Sequence, residues 1–312
     1  MKVFMTGASG YIGGTVAALL IKAGHSISGL ARTEAAAAKL RAHGIDAVRG
    51  DLGAHSVVRN AARGAHAVIN CANAEDPFVV AAILEGLAGS GKAFLHTSGT
   101  SVVGDKAGGK FSPKIYHEDT PLDPLPEKIQ RVAVHRSVLA SAADGVRSVV
   151  LCPSLIYGEG RGANPDSIQV PTLIRQAIKS GVPRHVGAGE NIWSTVHIED
   201  VPSAYLLALE AARAGSFFFV ENGEASLKSI VASIARLLGG KRAPEGWSID
   251  EAIAEWGPMA VWFSLGGNSR VNADKARRML GWKPAGAELF HEIEQGWYKR
   301  QLEAGAYAAT PR

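Results

Sequence analysis

The sequence predicts an α/β chain, a doubly wound parallel sheet with a smaller, discontinuous C-terminal subdomain. Three observations carry this expectation. Short β-type runs alternate with helix-type segments from Lys2 to Cys152, the pattern of right-handed βαβ units. Glycine is over-represented at 36 of 312 residues, against a usual ~7%, and it is scattered as turn punctuation. Beyond Pro153 the composition shifts, and Pro, Gly and Trp concentrate in 153–192 and 216–262.

The β-type runs are Lys2–Thr6, Ser26–Ala31, Ala47–Arg49, Ala67–Cys71 and Ala93–Thr97, rich in Val, Ile, Phe and Leu. Between them Ile12–Lys22, Glu34–His43, His55–Ala62 and Pro77–Leu87 read as helices. The alternation breaks at Gly104–Lys128, a polar stretch long enough to be a lid or binding loop. A helix near Glu127–Ala143 and a strand at Arg147–Cys152 restore it. Trp193–His197 and Asp200–Ala211 read as one more strand and helix of the sheet, so the chain leaves the sheet domain, returns and leaves again. The expected division is 1–155 with 193–215 for the sheet domain, and 156–192 with 216–312 for the subdomain. Ala304–Arg312, small or polar, reads as a frayed end.

Composition narrows the function classes. Lys and Arg number 33 against 29 Asp and Glu, a net charge of +4 without long basic runs, which argues against a nucleic-acid or membrane-surface partner. Apolar runs such as Val16–Ile21 and Val79–Leu84 fall far short of the ~18 residues of a membrane span. The chain enters a strand-like run at Lys2, with no room for a signal peptide. Both cysteines, Cys71 and Cys152, lie in apolar runs and read as buried, reduced thiols of a cytoplasmic protein. No Cys/His/Asp cluster has metal-ligand spacing, so no metal is expected.

Thr6-Gly7-Ala8-Ser9-Gly10-Tyr11-Ile12-Gly13 follows the first strand and opens the first helix. Gly7 suits a sharp strand-to-helix turn, Gly10 a close backbone approach to a pyrophosphate, and Gly13 tight helix–strand packing. Free N–H groups at the helix start then face the phosphates. The motif makes the sheet domain Rossmann-type and dinucleotide-binding, with the subdomain as the substrate-binding part at the C-terminal strand ends.

The glycine spacing, with Gly50-Asp51-Leu52, Asn70-Cys71-Ala72, Thr97-Ser98-Gly99, Glu118–Leu122, Pro153–Gly158, Val196–Val201 and Lys275–Trp282, resembles the short-chain dehydrogenase/reductase superfamily in its extended or atypical epimerase/dehydratase-like branch. The resemblance spans nearly the whole chain. It implies a cofactor site at Gly7, Ser9, Gly10, Tyr11, Ile12, Gly13, Arg32, Asp51, Leu52, Cys71, Ala72, Thr97, Ser98, Gly99 and Pro153, with Asp51 contacting adenine. Asp51 also suits a cap for the helix that follows. At the end of the second strand, Gly29-Leu30-Ala31-Arg32-Thr33 offers no acid for a ribose 2′-OH but a guanidinium for a 2′-phosphate. NADP(H) is therefore the expected cofactor, with NAD(H) second.

The family's Tyr-x-x-x-Lys pair, which the resemblance places on the helix after the fifth strand, is absent. No tyrosine lies between Tyr116 and Tyr157. The aligned positions fall near Glu127 or Lys128 and Arg131, and the serine position falls on Gly99, flanked by Ser98 and Thr100. Arg131 cannot titrate but can hold a ribose or a carboxylate. His135, one turn later, is the group on that helix with a pKa near neutrality and is the expected proton donor; Tyr157 is the alternative, and Thr100 the remaining hydroxyl. His197 is expected to support the loop at Glu199-Asp200. Trp193 and Trp262 suit either an aromatic pocket or core packing. The expected function is that of an NADP(H)-dependent oxidoreductase or epimerase-like enzyme acting on a small carbonyl or hydroxyl substrate, with a homodimer left open. A redox-silent NADP(H)-binding sensor or scaffold of the same fold is the competing expectation.

Overall fold

A computed structural model describes Met1–Tyr307. Seven strands form one parallel sheet. They are β1 (Lys2–Thr6), β2 (Ser26–Ala31), β3 (Asp46–Arg49), β4 (Ala67–Asn70), β5 (Ala93–Thr97), β6 (Arg147–Pro153) and β10 (Ser216–Val220), in the order β10-β6-β5-β4-β1-β2-β3. The order reverses between β1 and β4, which places a switch point beside the glycine turn. Connecting helices are α1 (Tyr11–Lys22), α2 (Glu34–Ala42), α3 (His55–Gly64), α4 (Pro77–Leu87) and α5 (Ile129–Ala140). The strands β4, β5 and β6 are almost wholly buried, as helix-covered parallel strands require, and their near-continuous apolar runs supply that burial. Local signals fix the helix starts. Thr33 caps α2 through Ala36 N–H, and Asp76 caps α4 through the N–H groups of Phe78 and Val79, with Pro77 at the first turn.

The second layer holds β7 (Leu155–Tyr157), α6 (Gln169–Ser180), β8 (Arg184–Val186), β9 (Ile192–His197), β11 (Glu224–Ser226), α8 (Leu227–Leu237), β12 (Glu245–Trp247) and α9 (Ile249–Trp256). Its strands form the small sheets β11-β9-β7 and β12-β8. The crossover helix α7 (Val201–Ala211) packs on α1 and leads to β10. Beyond α9 come a short turn of helix, α10 (Pro258–Ala260), a π-turn at Val261–Leu265, and α11 (Asp274–Leu280), α12 (Leu289–Glu294) and α13 (Trp297–Glu303).

One strand assignment is exchanged. The expected sheet strand at Trp193–His197 lies in the small sheet, where Trp193 Nε1 donates to the Gly267 carbonyl (2.9 Å) and Ser194 to that of Val271 (3.1 Å). The seventh strand of the large sheet is Ser216–Val220, which the sequence reading assigned to the subdomain. Its Phe217-Phe218-Phe219 run pairs with Val150–Cys152 and supplies the apolar surface of a covered parallel strand. The expected tail at Ala304–Arg312 is also corrected in part, because Tyr307 is buried against the subdomain core; residues 308–312 lie outside the described residues.

The long segment after β5 begins with a 3-10 turn (Thr100–Val103) and ends with another (Pro126–Lys128). Between them it is clamped by Asn268, which donates from its backbone N and Nδ2 to the Asp105 carboxylate and from Nδ2 to the Lys110 carbonyl, while accepting from Ser112 N. Among the described residues no helix is long and apolar enough to cross a membrane.

Phe218 is fully buried in β10. Phe218→Ala should cost about 3–5 kcal/mol of unfolding free energy, read from the urea midpoint at unchanged slope. A cost below ~1 kcal/mol would contradict the placement of this strand in the main core.

Candidate active site

The glycine turn is built on backbone contacts that admit no side chain. Gly7 has φ +70°, and a Cβ there would lie 2.6 Å from the Cys71 carbonyl carbon. A Cβ on Gly13 would lie 2.2 Å from the Gly7 oxygen, so α1 docks on the turn as the sequence predicts. Gly10 is the N-cap of α1 with no side-chain cap, and the N–H groups of Tyr11, Ile12 and Gly13 have no acceptor among the described residues. Such a helix start is a ready site for an anion.

Beside it lies a groove of about 890 Å³ lined by Gly7, Ser9, Leu30, Ala31, Arg32, Ala36, Asp51, Leu52, Gly53, Ala72 and Asn73. Six of the expected cofactor residues thus meet: Gly7, Ser9, Arg32, Asp51, Leu52 and Ala72. Arg32 is exposed, and its guanidinium has no partner among the described residues. The nearby acid, Glu34, is engaged by Arg41 and Arg49. Asp51 accepts from Ala54 N (3.0 Å) through Oδ1 and keeps its second oxygen open to the groove, so the capping and ligand readings coexist. Leu30, Ala31, Ala36, Gly53 and Asn73 are outside the expected set; Ala31, Gly53 and Asn73 each adjoin a residue within it.

A segment of the second layer lies across the helix start. Tyr11 donates from its phenol to the Gly158 carbonyl (2.8 Å), Asn164 Nδ2 donates to the Ser9 carbonyl (2.8 Å), and Arg161 N donates to Thr15 Oγ1 (3.0 Å). Tyr11 is therefore committed by its side chain to this strap, and only its backbone N–H is left for a ligand.

The hydroxyl-rich end of β5 is used differently from the expectation. Thr97 Oγ1 accepts from the Tyr205 phenol (2.8 Å) and neighbours Cys71 Sγ (3.2 Å), and burial pushes the Cys71 thiol up to about 12. Cys71 is half-buried where full burial was expected, while Cys152 is buried; both are free thiols. Pro153 is buried in the β6–β10 ladder opposite Val220. Gly99 is extended, 3.6 Å from Arg131 Nη1 at the position a Cβ would take.

His135 is a correction. It is buried between His96 and Phe217 with ring centroids 6.1 Å from each, and its Nε2 is bonded to Ser98 Oγ at 2.5 Å. Burial, then repulsion from His96 and Arg131, pushes its pKa down to about 3, so it stays neutral where a proton donor near neutrality was expected. Tyr157 is a second correction. Its phenol donates to the Ala287 carbonyl (2.8 Å), its ring meets His197 edge-on at 5.3 Å, and burial pushes its pKa further above the usual phenol range. It lines a separate cavity of about 230 Å³ with Thr195, Asn222 and Phe290, not the dinucleotide groove. His197 does support the Glu199-Asp200 loop, accepting from Glu199 N at 3.2 Å. Trp193 takes the core role rather than the pocket role.

Arg131 and Thr100 do come together at the end of β5. Arg131 Nη1 donates to Ser101 Oγ (3.0 Å) and Nη2 pairs with Glu75 (2.7 Å), while Arg131 Nε and Thr100 Oγ1 are buried without partners. Lys128, which the sequence reading met only as an aligned position, is buried there. Burial, and then Arg131, hold its ammonium below the usual lysine range. It stands one residue before α5 and three before Arg131, a spacing that shares a helical face, but nothing in the sequence signals its burial.

With this geometry in view, the comparisons are consistent. The model of the NAD dependent epimerase/dehydratase family matches residues 3–218, and the chain belongs to that family of NAD(P)-dependent oxidoreductases. An uncharacterized protein of Schizosaccharomyces pombe is 30% identical, covering 96% of this chain and 100% of its own. A 4-hydroxy-2-methyl-3-oxo-4-farnesyl-3,4-dihydroquinoline-1-oxide ketoreductase of Stigmatella aurantiaca is 28% identical over 90% of this chain and 92% of its own. The fold matches that of dTDP-glucose 4,6-dehydratase from Bacillus anthracis in complex with NAD, with a TM-score of 0.76, 18% identity and 97% coverage of both chains.

The pKa of His135 carries a stability consequence. In the unfolded chain it takes up a proton near 6.5; in the fold it resists protonation down to about 3. The unfolded state binds more protons in that window, so stability present above it is lost as pH falls through it. The stability advantage of wild type over His135→Gln should therefore shrink from pH 7 towards pH 4, as read by urea titrations; an advantage that grows on acidification would refute the burial argument.

Proposed function

We propose that the protein reduces the carbonyl group of a small molecule with NADPH. The observation that carries this is the groove itself, in which free α1 N–H groups, an unpaired exposed Arg32 and the open oxygen of Asp51 stand together with no acid free at the end of β2. These residues fit a dinucleotide phosphate. The helix start accepts the pyrophosphate, Arg32 the 2′-phosphate through its fork, and Asp51 the adenine amine. When bound, the cofactor supplies hydride to the substrate carbon. The chain's part is to bind, orient and keep water out at the end of β5, where the buried donors of Arg131 and Thr100 stand with the ammonium of Lys128. The Stigmatella relative, named as a ketoreductase, supports reduction over epimerisation.

One observation favours the redox-silent alternative: the Ser98 hydroxyl and the Tyr157 phenol are both engaged inside the protein. NADPH consumption across aldehydes, ketones and oxo acids decides between the two. Turnover of any of them supports the reductase, whereas tight NADPH binding with no consumption supports the silent protein.

For the cofactor, NADPH should bind at least tenfold more tightly than NADH, and Arg32→Ala should remove most of that margin, as measured by calorimetry. Equal wild-type affinities would remove Arg32 from the cofactor site. Gly10→Val should keep the fold, since Gly10 has φ −80° and a Cβ there meets one atom, the Gly7 oxygen at 3.2 Å, which a shift of a few tenths of an ångström relieves, but it should abolish the rise in melting temperature on adding NADPH. An undiminished rise would place the dinucleotide elsewhere.

A further inference from the structure

We propose that the end of β5 holds a carboxylate of the substrate, with Lys128 as its principal partner and Arg131 and Thr100 beside it, so that the compound reduced is a short oxo acid. The proposal rests on the reductase reading for the reaction but not for the binding.

The charges at this place do not balance. Glu127 is paired with Lys106, and Glu75 with Arg131 at 2.7 Å. Lys128 is then left without an anion: its residue is 4% exposed, and its Nζ has no hydrogen-bond acceptor or ion-pair partner among the described residues. Its direct contact is the face of Phe263, 4.6 Å from Nζ to the ring centroid, for which Lys106 competes at 5.7 Å, while Glu75 and Glu127, each paired elsewhere, favour its charge only from longer range. A cation–π contact offsets only part of the desolvation of an ammonium.

Two further donors there are unmet. Arg131 Nε and Thr100 Oγ1 are both buried without a partner, and they belong to one neighbourhood, since Arg131 also bonds Ser101, the residue after Thr100. Lys and Arg donate only, so the complementary group is rich in acceptors. One unmatched positive charge asks for one negative charge, which selects a carboxylate over a phosphate dianion. The start of α5, which has Lys128 at its N-cap and no side-chain cap, adds the favourable end of a helix dipole. Five charged groups meet here: Lys128 and Arg131 from α5 and its approach, Glu127 beside them, Glu75 from the β4–α4 connection and Lys106 from the clamped segment.

Calorimetry on the NADP⁺-loaded protein tests this without turnover, using a series of short 2-oxo and 3-oxo acids and their ethyl esters. At least one acid should bind tenfold or more tightly than its ester, and Lys128→Met should erase that margin. Lys128→Arg should keep most of it, and the NADPH dissociation constant should move less than twofold in either variant. Equal binding of acid and ester to wild type, or no binding of any acid, overturns the proposal, and neither result depends on a variant that folds. Loss of NADPH affinity in Lys128→Met matching the loss for the acid would assign these donors to the cofactor and also overturn it. Tighter competition by inorganic phosphate than by any acid would assign the site to a phosphate. Acid-selective binding with no NADPH consumption would leave this site standing and defeat the reductase reading alone.

Discussion

The arrangement of the molecule depends on three places where backbone meets backbone with no room for a Cβ. Gly7 lies under the Cys71–Ala72 peptide, Gly13 lies on the Gly7 carbonyl, and Gly14 faces Gly162, where a Cβ on Gly14 would lie 2.7 Å from the Gly162 Cα. The first two set how close α1 comes to the ends of β1 and β4, and so place unpaired N–H groups at the mouth of the groove. The third joins the second layer to the same helix. One short stretch of sequence thus fixes both the groove and the seat of the strap over it. A methyl group at any of the three would have to displace main chain, which side-chain repacking cannot relieve.

The large sheet was legible because its strands and helices are specified locally. The runs Lys2–Thr6, Ser26–Ala31, Pro77–Leu87 and Ala93–Thr97 are observed with the bounds the sequence predicts. The exchange of Trp193–His197 with Ser216–Val220 shows where such reading stops. Both runs can form buried strands, and what separates them is the company each keeps: Gly267–Val271 for the first and Val150–Cys152 for the second. Those partners lie far away in sequence, and no periodicity encodes them.

The site shows the same division. That Gly7, Arg32 and Asp51 line one groove could be read because they sit at a turn and the two strand ends that feed it. His135 and Tyr157 carry suitable chemistry at a suitable distance along the chain, and tertiary structure decides otherwise. The imidazole is taken up by Ser98 under a cover of Phe217, and the phenol by the Ala287 carbonyl. A titratable side chain on a helix turns inward or outward according to what covers it, and here the cover comes from β10 and from the segment before α12. Lys128 is hidden in the sequence for the converse reason. A lysine reads as a solvated charge, and its burial becomes visible only once Phe263 is seen to pack over it.

The second layer is therefore more than a lid over the strand ends. Asn268 ties Asp105, Lys110 and Ser112 to Ile192 N, and Ser269 donates to the Thr100 carbonyl at 2.8 Å, so the first turn after β5 is held by the subdomain. The π-turn at Val261–Leu265 supplies Phe263 from the same region. A stretch that would otherwise be a mobile polar loop is held by two adjacent residues, Asn268 on 105–112 and Ser269 on the turn that opens it. This explains how buried donors can stay unpaired at the end of β5. Thr100 cannot turn its backbone away without breaking the Ser269 bond, and Arg131 is held by Ser101 and Glu75. The cost of their unmet hydrogen bonds is carried by the Asn268 and Ser269 clamps, which is how preorganised sites are maintained.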